Sequence, residues 1–213
     1  MKKLVILLQL FAVIFLSACS NGEHVVDLKS PIEVVSYNNG PKVCIADVTD
    51  NRLFVGNENQ PNLPSGEILS PDYKSRAYAR LKNTFGSQTG SMLLPRDKTV
   101  SMVVREILER ALSDDGYTVV QEAAAEDSDT IIMAVSIKQF WTWAGLEKIN
   151  DNINSDIELD VYTQNQGAQK HFNLKNRQTR KVLTDTRTLY KTTTEQSLAN
   201  IYNLALEKFK NLQ

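Results

Sequence analysis

Apolar positions along the chain change their spacing several times, and each change marks an element. The first group is a run from Leu4 to Leu16, interrupted only by Gln9 and preceded by Lys2 and Lys3. It is too short for the ~20 residues of a membrane-spanning helix and fits the ~7–15 of a secretory signal core. Lys42 to Val48 then reads as a buried strand. From Thr99 the spacing becomes helical, with Val100, Val103, Val104, Ile107, Leu108, Ala111 and Leu112 on one face. Thr99 suits the N-cap and Gly116 the residue that ends this helix. Tyr117 to Gln121 and the β-branched stretch Thr130 to Trp143 predict strands. Between Ile153 and Thr163 the period is two: Ile153, Ile157, Leu159 and Val161 alternate with Asn154, Asp156, Glu158 and Asp160. That is an antiparallel strand with one wet face. A turn at Asn165-Gln166-Gly167 leads to a strand from His171 to Val182. Thr193 opens a last helix with Leu198, Ile201, Tyr202, Ala205 and Phe209 on its core face.

Two stretches lack such a period. Ser20 to Pro41 is polar, ends in Asn-Asn-Gly-Pro and reads as a tether with a reach of roughly 25 Å if it behaves as a coil. Residues 49–98 carry Pro61, Pro64, Pro71 and Pro95 and read as a long loop, with a short helix between Tyr73 and Phe85 and a short strand from Ser91 to Leu94. The expected organisation is a signal peptide at 1–18, a lipidated cysteine and flexible tether at 19–41, and a single domain at 42–213. The expected fold is α+β: a two-layer sandwich whose mostly antiparallel sheet of four to five strands carries two helices on one face.

The apolar run ends in Leu16-Ser17-Ala18-Cys19. All four positions resemble the bacterial lipobox, in which the cysteine sulfur receives diacylglycerol and the chain is cut just before that cysteine. Buried acyl chain contributes ~0.8 kcal/mol per CH₂, so the two or three chains of such an anchor hold firmly. Ser20 follows where the related sorting rule places Asp for inner-membrane retention. The expected location is therefore the periplasmic face of the outer membrane.

Charge narrows the partners. The chain has 24 basic and 25 acidic residues. Losing 1–18 removes Lys2 and Lys3 and leaves 22 against 25, a formal charge near −3. Such a balance has no general attraction for nucleic acid. With Cys19 committed to lipid, Cys44 in Lys42-Val43-Cys44-Ile45 is left as a small core hydrophobe.

The order of lipobox, tether, strand ending in Asp47-Val48-Thr49-Asp50-Asn51-Arg52, valine-rich helix closing in Asp114-Asp115-Gly116-Tyr117-Thr118-Val119-Val120, meander and final helix resembles the YajG-type bacterial lipoproteins. The resemblance spans most of residues 42–213. It implies an envelope location and a fold, and it brings no catalytic motif. Lipopolysaccharide-assembly lipoproteins and auxiliary lipoproteins of lipid-transport systems have related two-layer folds. They supply the alternative function: an accessory lipoprotein of lipid or lipopolysaccharide transport.

Catalytic chemistry finds little to stand on. His24 and His171 are the two histidines, and no nucleophile elbow, phosphate loop or H-E-x-x-H helix occurs. The expectation is a non-enzymatic protein without cofactor or metal, anchored by its N-terminal lipid and binding an envelope protein partner. The pointed residues are Asp50 and Arg52, which either close a strand end as a local ion pair or form a recognition loop, and Trp141 and Trp143. Counted by two from Ile131, Met133, Val135 and Ile137, both tryptophans share the core face. Either both cap the core, or Trp143 projects as an aromatic anchor for a partner. Lys175, Arg177, Arg180, Lys181 and Arg187 read as a solvated strand face or as a contact for anionic phosphates.

Overall fold

A computed structural model describes residues 22–29, 39–54, 70–82, 88–121, 129–147, 150–182, 186–210 and 212. Cys19 and the lipobox lie outside them. The elements, in chain order, are β1 (Gly22–Val25), β2 (Lys42–Asp50), α1 (Pro71–Arg76), β3 (Ala77–Lys82), β4 (Gln88–Leu93), α2 (Val100–Asp114), β5 (Thr118–Val119), β6 (Ile131–Glu147), β7 (Asn150–Asn165), β8 (Ala168–Lys181) and α3 (Thr186–Phe209).

The expected sandwich of four or five mostly antiparallel strands does not hold. The described residues form one mixed sheet of eight strands with three helices, still of the α+β class. Parallel pairings join β1 to β4, β2 to β5, and β6 to both β2 and β3. Antiparallel pairings join β3 to β4 and run β6–β7–β8. The reason is the length of β6. Its first half, Ile131 to Ile137, pairs with β2, and further along the same flank Thr142 and Trp143 pair with β3. The opposite flank is covered by β7 throughout. Parallel partners separated by a crossover leave no turn signal between them, so periodicity does not reveal them.

The helices behave as their sequences dictate. The Thr99 side chain accepts from the Met102 amide at 3.2 Å, and Gly116 takes φ +91°, the left-handed conformation that glycine reaches cheaply. α2 lies against β2 and β5, α3 against β6, β7 and β8, and the two helices pack on each other. Every position expected on the core face of α3 is buried. Thr193, however, lies inside that helix and not at its start, with Oγ1 donating back to the Leu189 carbonyl at 2.6 Å.

Three further expectations need correction. Gly22 to Val25, placed in the tether, form β1, and residues up to Lys29 continue along the domain. Val26 N donates to Leu93 O, Asp27 meets Lys98 at 3.1 Å, and Lys29 N donates to Glu195 Oε1. Glycine at 90 permits this approach, because a Cβ there would stand 2.3 Å from the Gly22 carbonyl oxygen. In the stretch expected as loop, the helix is short and Ala77 to Lys82 is a strand. Its residues Ala77 to Leu81 are buried whichever way they point, so no alternation marks them.

The third correction is a β-bulge in β6. Ile137 faces Leu159, but Gln139 faces Glu158 and Phe140 faces Ile157, so Lys138 is the extra residue. The bulge exchanges the faces beyond it. Phe140 joins Ile131, Met133, Val135 and Ile137 in the core under the helices, and Trp141 and Trp143 point to the other side of the sheet.

Candidate interaction site

Asp50 and Arg52 meet where β2 leaves β6. Arg52 is 6 % exposed. Its guanidinium makes five hydrogen bonds, so the donors of the planar fork are all engaged. Nε and one terminal nitrogen hold both oxygens of Asp50, at 2.8 and 2.7 Å. The remaining donors reach the carbonyls of Lys74, Ala77 at 2.7 Å and Phe140 at 3.1 Å. β2 and β3 leave a gap between them along β6, and Arg52 fills it. This pair closes a strand end, the plainer of the two readings its sequence allows. Neighbouring Asn51 donates to Ser136 Oγ at 2.8 Å.

The tryptophans form a second, smaller cluster with Ala77 and Leu93, joined by Phe54 and Tyr73. Trp141 is 1 % exposed and Trp143 6 %, so neither projects as an anchor. Cations border this cluster. Arg52 lies 5.0 Å from the Phe54 ring centroid and Arg177 5.3 Å from that of Trp143. Asp156, opposite both Trp141 and Arg177, was expected on a solvated face but is buried. Its Oδ1 has no hydrogen-bond partner among the described residues. Burial pushes its carboxyl above the usual range, against the pull of Lys175 and Arg177.

Further along the same side of β6–β8 the surface opens. A shallow groove of about 420 Å³ is lined by Ile132, Ala134, Tyr162, Gln164, Gln169 and His171, among others. Tyr162 is exposed and stacks on His171, with ring centroids 4.6 Å apart. Beside it Asp160 accepts from Asn173 Nδ2 at 3.0 Å and lies 3.1 Å from His171 Nε2. These bonds, Asn173 first, hold its carboxyl below the usual range. Lys175 binds Glu158, which raises the ammonium's pKa. Of the basic residues noted in the sequence, Lys175, Arg177, Arg180 and Lys181 share β8, and Arg187 lies on α3. Sequence reading missed Tyr162 and the groove, although the Tyr162–His171 pair follows once the Gln166–Gly167 turn fixes the register.

His24 in β1 and His171 in β8 stand at opposite edges of the sheet. Among the described residues no group of three or more His, Cys, Asp or Glu could hold a metal ion, and no helix is long and apolar enough to cross a membrane. Cys44 is 1 % exposed.

No protein-family model matches this chain, and no curated protein sequence matches it. Among solved structures it is similar to an uncharacterised protein, at 12 % identity with a TM-score of 0.49, over 82 % of this chain and 96 % of the other. It is also similar to a Xanthomonas campestris protein of the DUF330 family, at 11 % identity and TM-score 0.48, over 89 % and 93 % of the two chains. A third similarity is to a minor lipoprotein from Acinetobacter baumannii, at 8 % identity and TM-score 0.40, over 53 % of this chain and 87 % of that one.

Proposed function

We propose that this protein is a cell-envelope lipoprotein, anchored through Cys19 on the periplasmic face of the outer membrane, whose α+β domain binds an envelope protein and catalyses no reaction. The observation that carries this reading is Leu16-Ser17-Ala18-Cys19 at the end of a short apolar run behind two lysines. The docking of β1 gives the anchor a geometric consequence. Two residues separate Cys19 from Gly22, so three backbone steps join them, a reach of at most ~11 Å. An acylated Cys19 would therefore hold the β1 edge close to the lipid and turn β8, at the other edge, away from it. The decisive experiment is metabolic labelling with radioactive palmitate. The wild-type protein takes up label and is processed, whereas Cys19→Ser remains an unlabelled precursor. Label on Cys19→Ser would overturn the reading. Fractionation of the labelled cells assigns the membrane.

A further inference from the structure

We infer that the open edge of β8 is a docking site for an extended, acidic segment of a partner protein, which adds to the sheet as a further strand. This deepens the proposed partner-binding role. β8 is 14 residues long, contains no proline, and pairs with β7 from Asn165↔Ala168 to Asn152↔Lys181 without a register shift. Among the described residues, β7 is its one strand neighbour. The other ends of the sheet are blunted by brevity: β1 has four residues and β5 two. Long, straight, unbulged edges are the ones that template a new strand.

The turn tells which backbone groups are offered. Gln166 and Gly167 have φ 46° and 83°, the left-handed pair of a two-residue hairpin turn. Such a turn makes Asn165 and Ala168 a hydrogen-bonded pair, and the alternation follows from there. Even-numbered residues of β8 direct their backbone groups to β7. Gln169, His171, Asn173, Lys175, Arg177, Thr179 and Lys181 direct theirs outward.

Charge selects the occupant. β8 carries Lys170, Lys175, Arg177, Arg180 and Lys181 and no acidic residue. β7 offsets part of this: Glu158 binds Lys175, and Asp160 lies beside His171. The excess stays positive, and Lys175 remains half exposed. A second β8 laid antiparallel on the first would set cation against cation, which opposes self-association. An incoming strand with alternate Glu or Asp meets the opposite sign along its length.

The test uses the mature chain and a ten-residue peptide alternating Glu and Val, followed by fluorescence anisotropy and amide hydrogen exchange. The Glu-Val peptide should bind and slow exchange at the odd-numbered amides from His171 to Thr179. Its alternately N-methylated form should bind at least about tenfold more weakly, through lost backbone bonds. A Lys-Val peptide should not bind, and Lys175→Gln/Lys181→Gln should weaken the Glu-Val complex. Several results would overturn the inference: no binding of the Glu-Val peptide, equal binding of the N-methylated form, a β8-mediated homodimer in sedimentation, or affinity confined to phosphatidylglycerol vesicles. A photo-crosslinker at Thr179 or at Glu109 on α2 of the lipidated protein separates this failure from that of the wider reading. Adducts to an envelope protein from position 109 alone refute the β8 site and leave a partner standing. Adducts from neither position count against the partner itself.

Discussion

Arg52 donates to the backbone carbonyl of Phe140 at 3.1 Å, across a separation of 88 residues. Phe140 lies just past the bulge of β6, in the interval that neither β2 nor β3 covers. A backbone acceptor buried there without a donor would cost ~1–3 kcal/mol. Arg52 satisfies it and ties two other carbonyls and Asp50 to the same point. The string that could be read as a strand end or as a recognition loop is thus a splice between two halves of the sheet.

Arg52→Ala should therefore lower stability by about 3 kcal/mol, read as a fall in the urea midpoint at unchanged slope. Arg52→Lys should recover only part of this, because an ammonium is a point donor and cannot span the fork of acceptors. A loss below ~1 kcal/mol would contradict the splice.

Trp141→Ala and Trp143→Ala should each cost ~3–5 kcal/mol, as truncations of buried aromatics do. Trp143 also supplies the face on which Arg177 rests, 5.3 Å from the ring centroid. Loss of partner capture by a Trp143→Ala protein that melts like wild type would restore the contact role and refute its burial.

The bulge makes a sharper prediction. Deleting Lys138 removes the extra residue, and strict alternation from Ile137 through Gln139 then keeps Phe140 under the helices and Trp141 on the other side, in unbroken register with β7. The deletion should therefore keep cooperative unfolding and the near-ultraviolet circular dichroism signal of the tryptophans, and loss of that signal would refute Lys138 as the extra residue. Lys138→Ala keeps the spacing, and its half-exposed side chain should matter by no more than ~0.5 kcal/mol.

What the sequence revealed and what it hid divide along one physical line. α2 could be read because both of its ends are local chemistry, a Thr99 cap and a left-handed Gly116, and its buried face repeats every turn. Ile153 to Val161 could be read because one side of β7 is wet. β3 could not, since Ala77 to Leu81 are buried on both sides and spell no period. The pairing of β2 with β6 joins residues more than eighty positions apart, and no turn announces it. The tryptophans were misplaced for a smaller reason: counting by two from Ile131 holds only as far as Ile137, and one extra residue inverts everything after it. Asp156 was lost in the same way, since its burial depends on which side the tryptophans take. The groove beside Tyr162 needed the register of three strands, which only the assembled sheet supplies.

Asp156 and Asp160, four positions apart in β7, should respond to pH with opposite signs. The folded state holds the Asp160 carboxyl below its unfolded value, through Asn173 first and then His171. A depressed carboxyl contributes stability that is fully present above its unfolded pKa of ~3.9 and is lost as pH falls through the lower folded value. Asp160→Asn should therefore destabilise the protein near neutrality, and the difference should vanish in strong acid. Asp156 runs the other way. Its carboxyl is raised, mainly by burial, so folding favours the protonated form. The penalty appears as pH climbs from ~3.9 through the higher folded value, and above that it is constant. Asp156→Asn should be neutral or stabilising at pH 7, and any gain should disappear in acid. Urea midpoints of the three proteins from pH 2.5 to 7 test both signs together. Curves that shift in the same direction would mean that Asp156 is ionised and well paired with Lys175 or Arg177, and that the buried oxygen beside Trp141 is not an orphan.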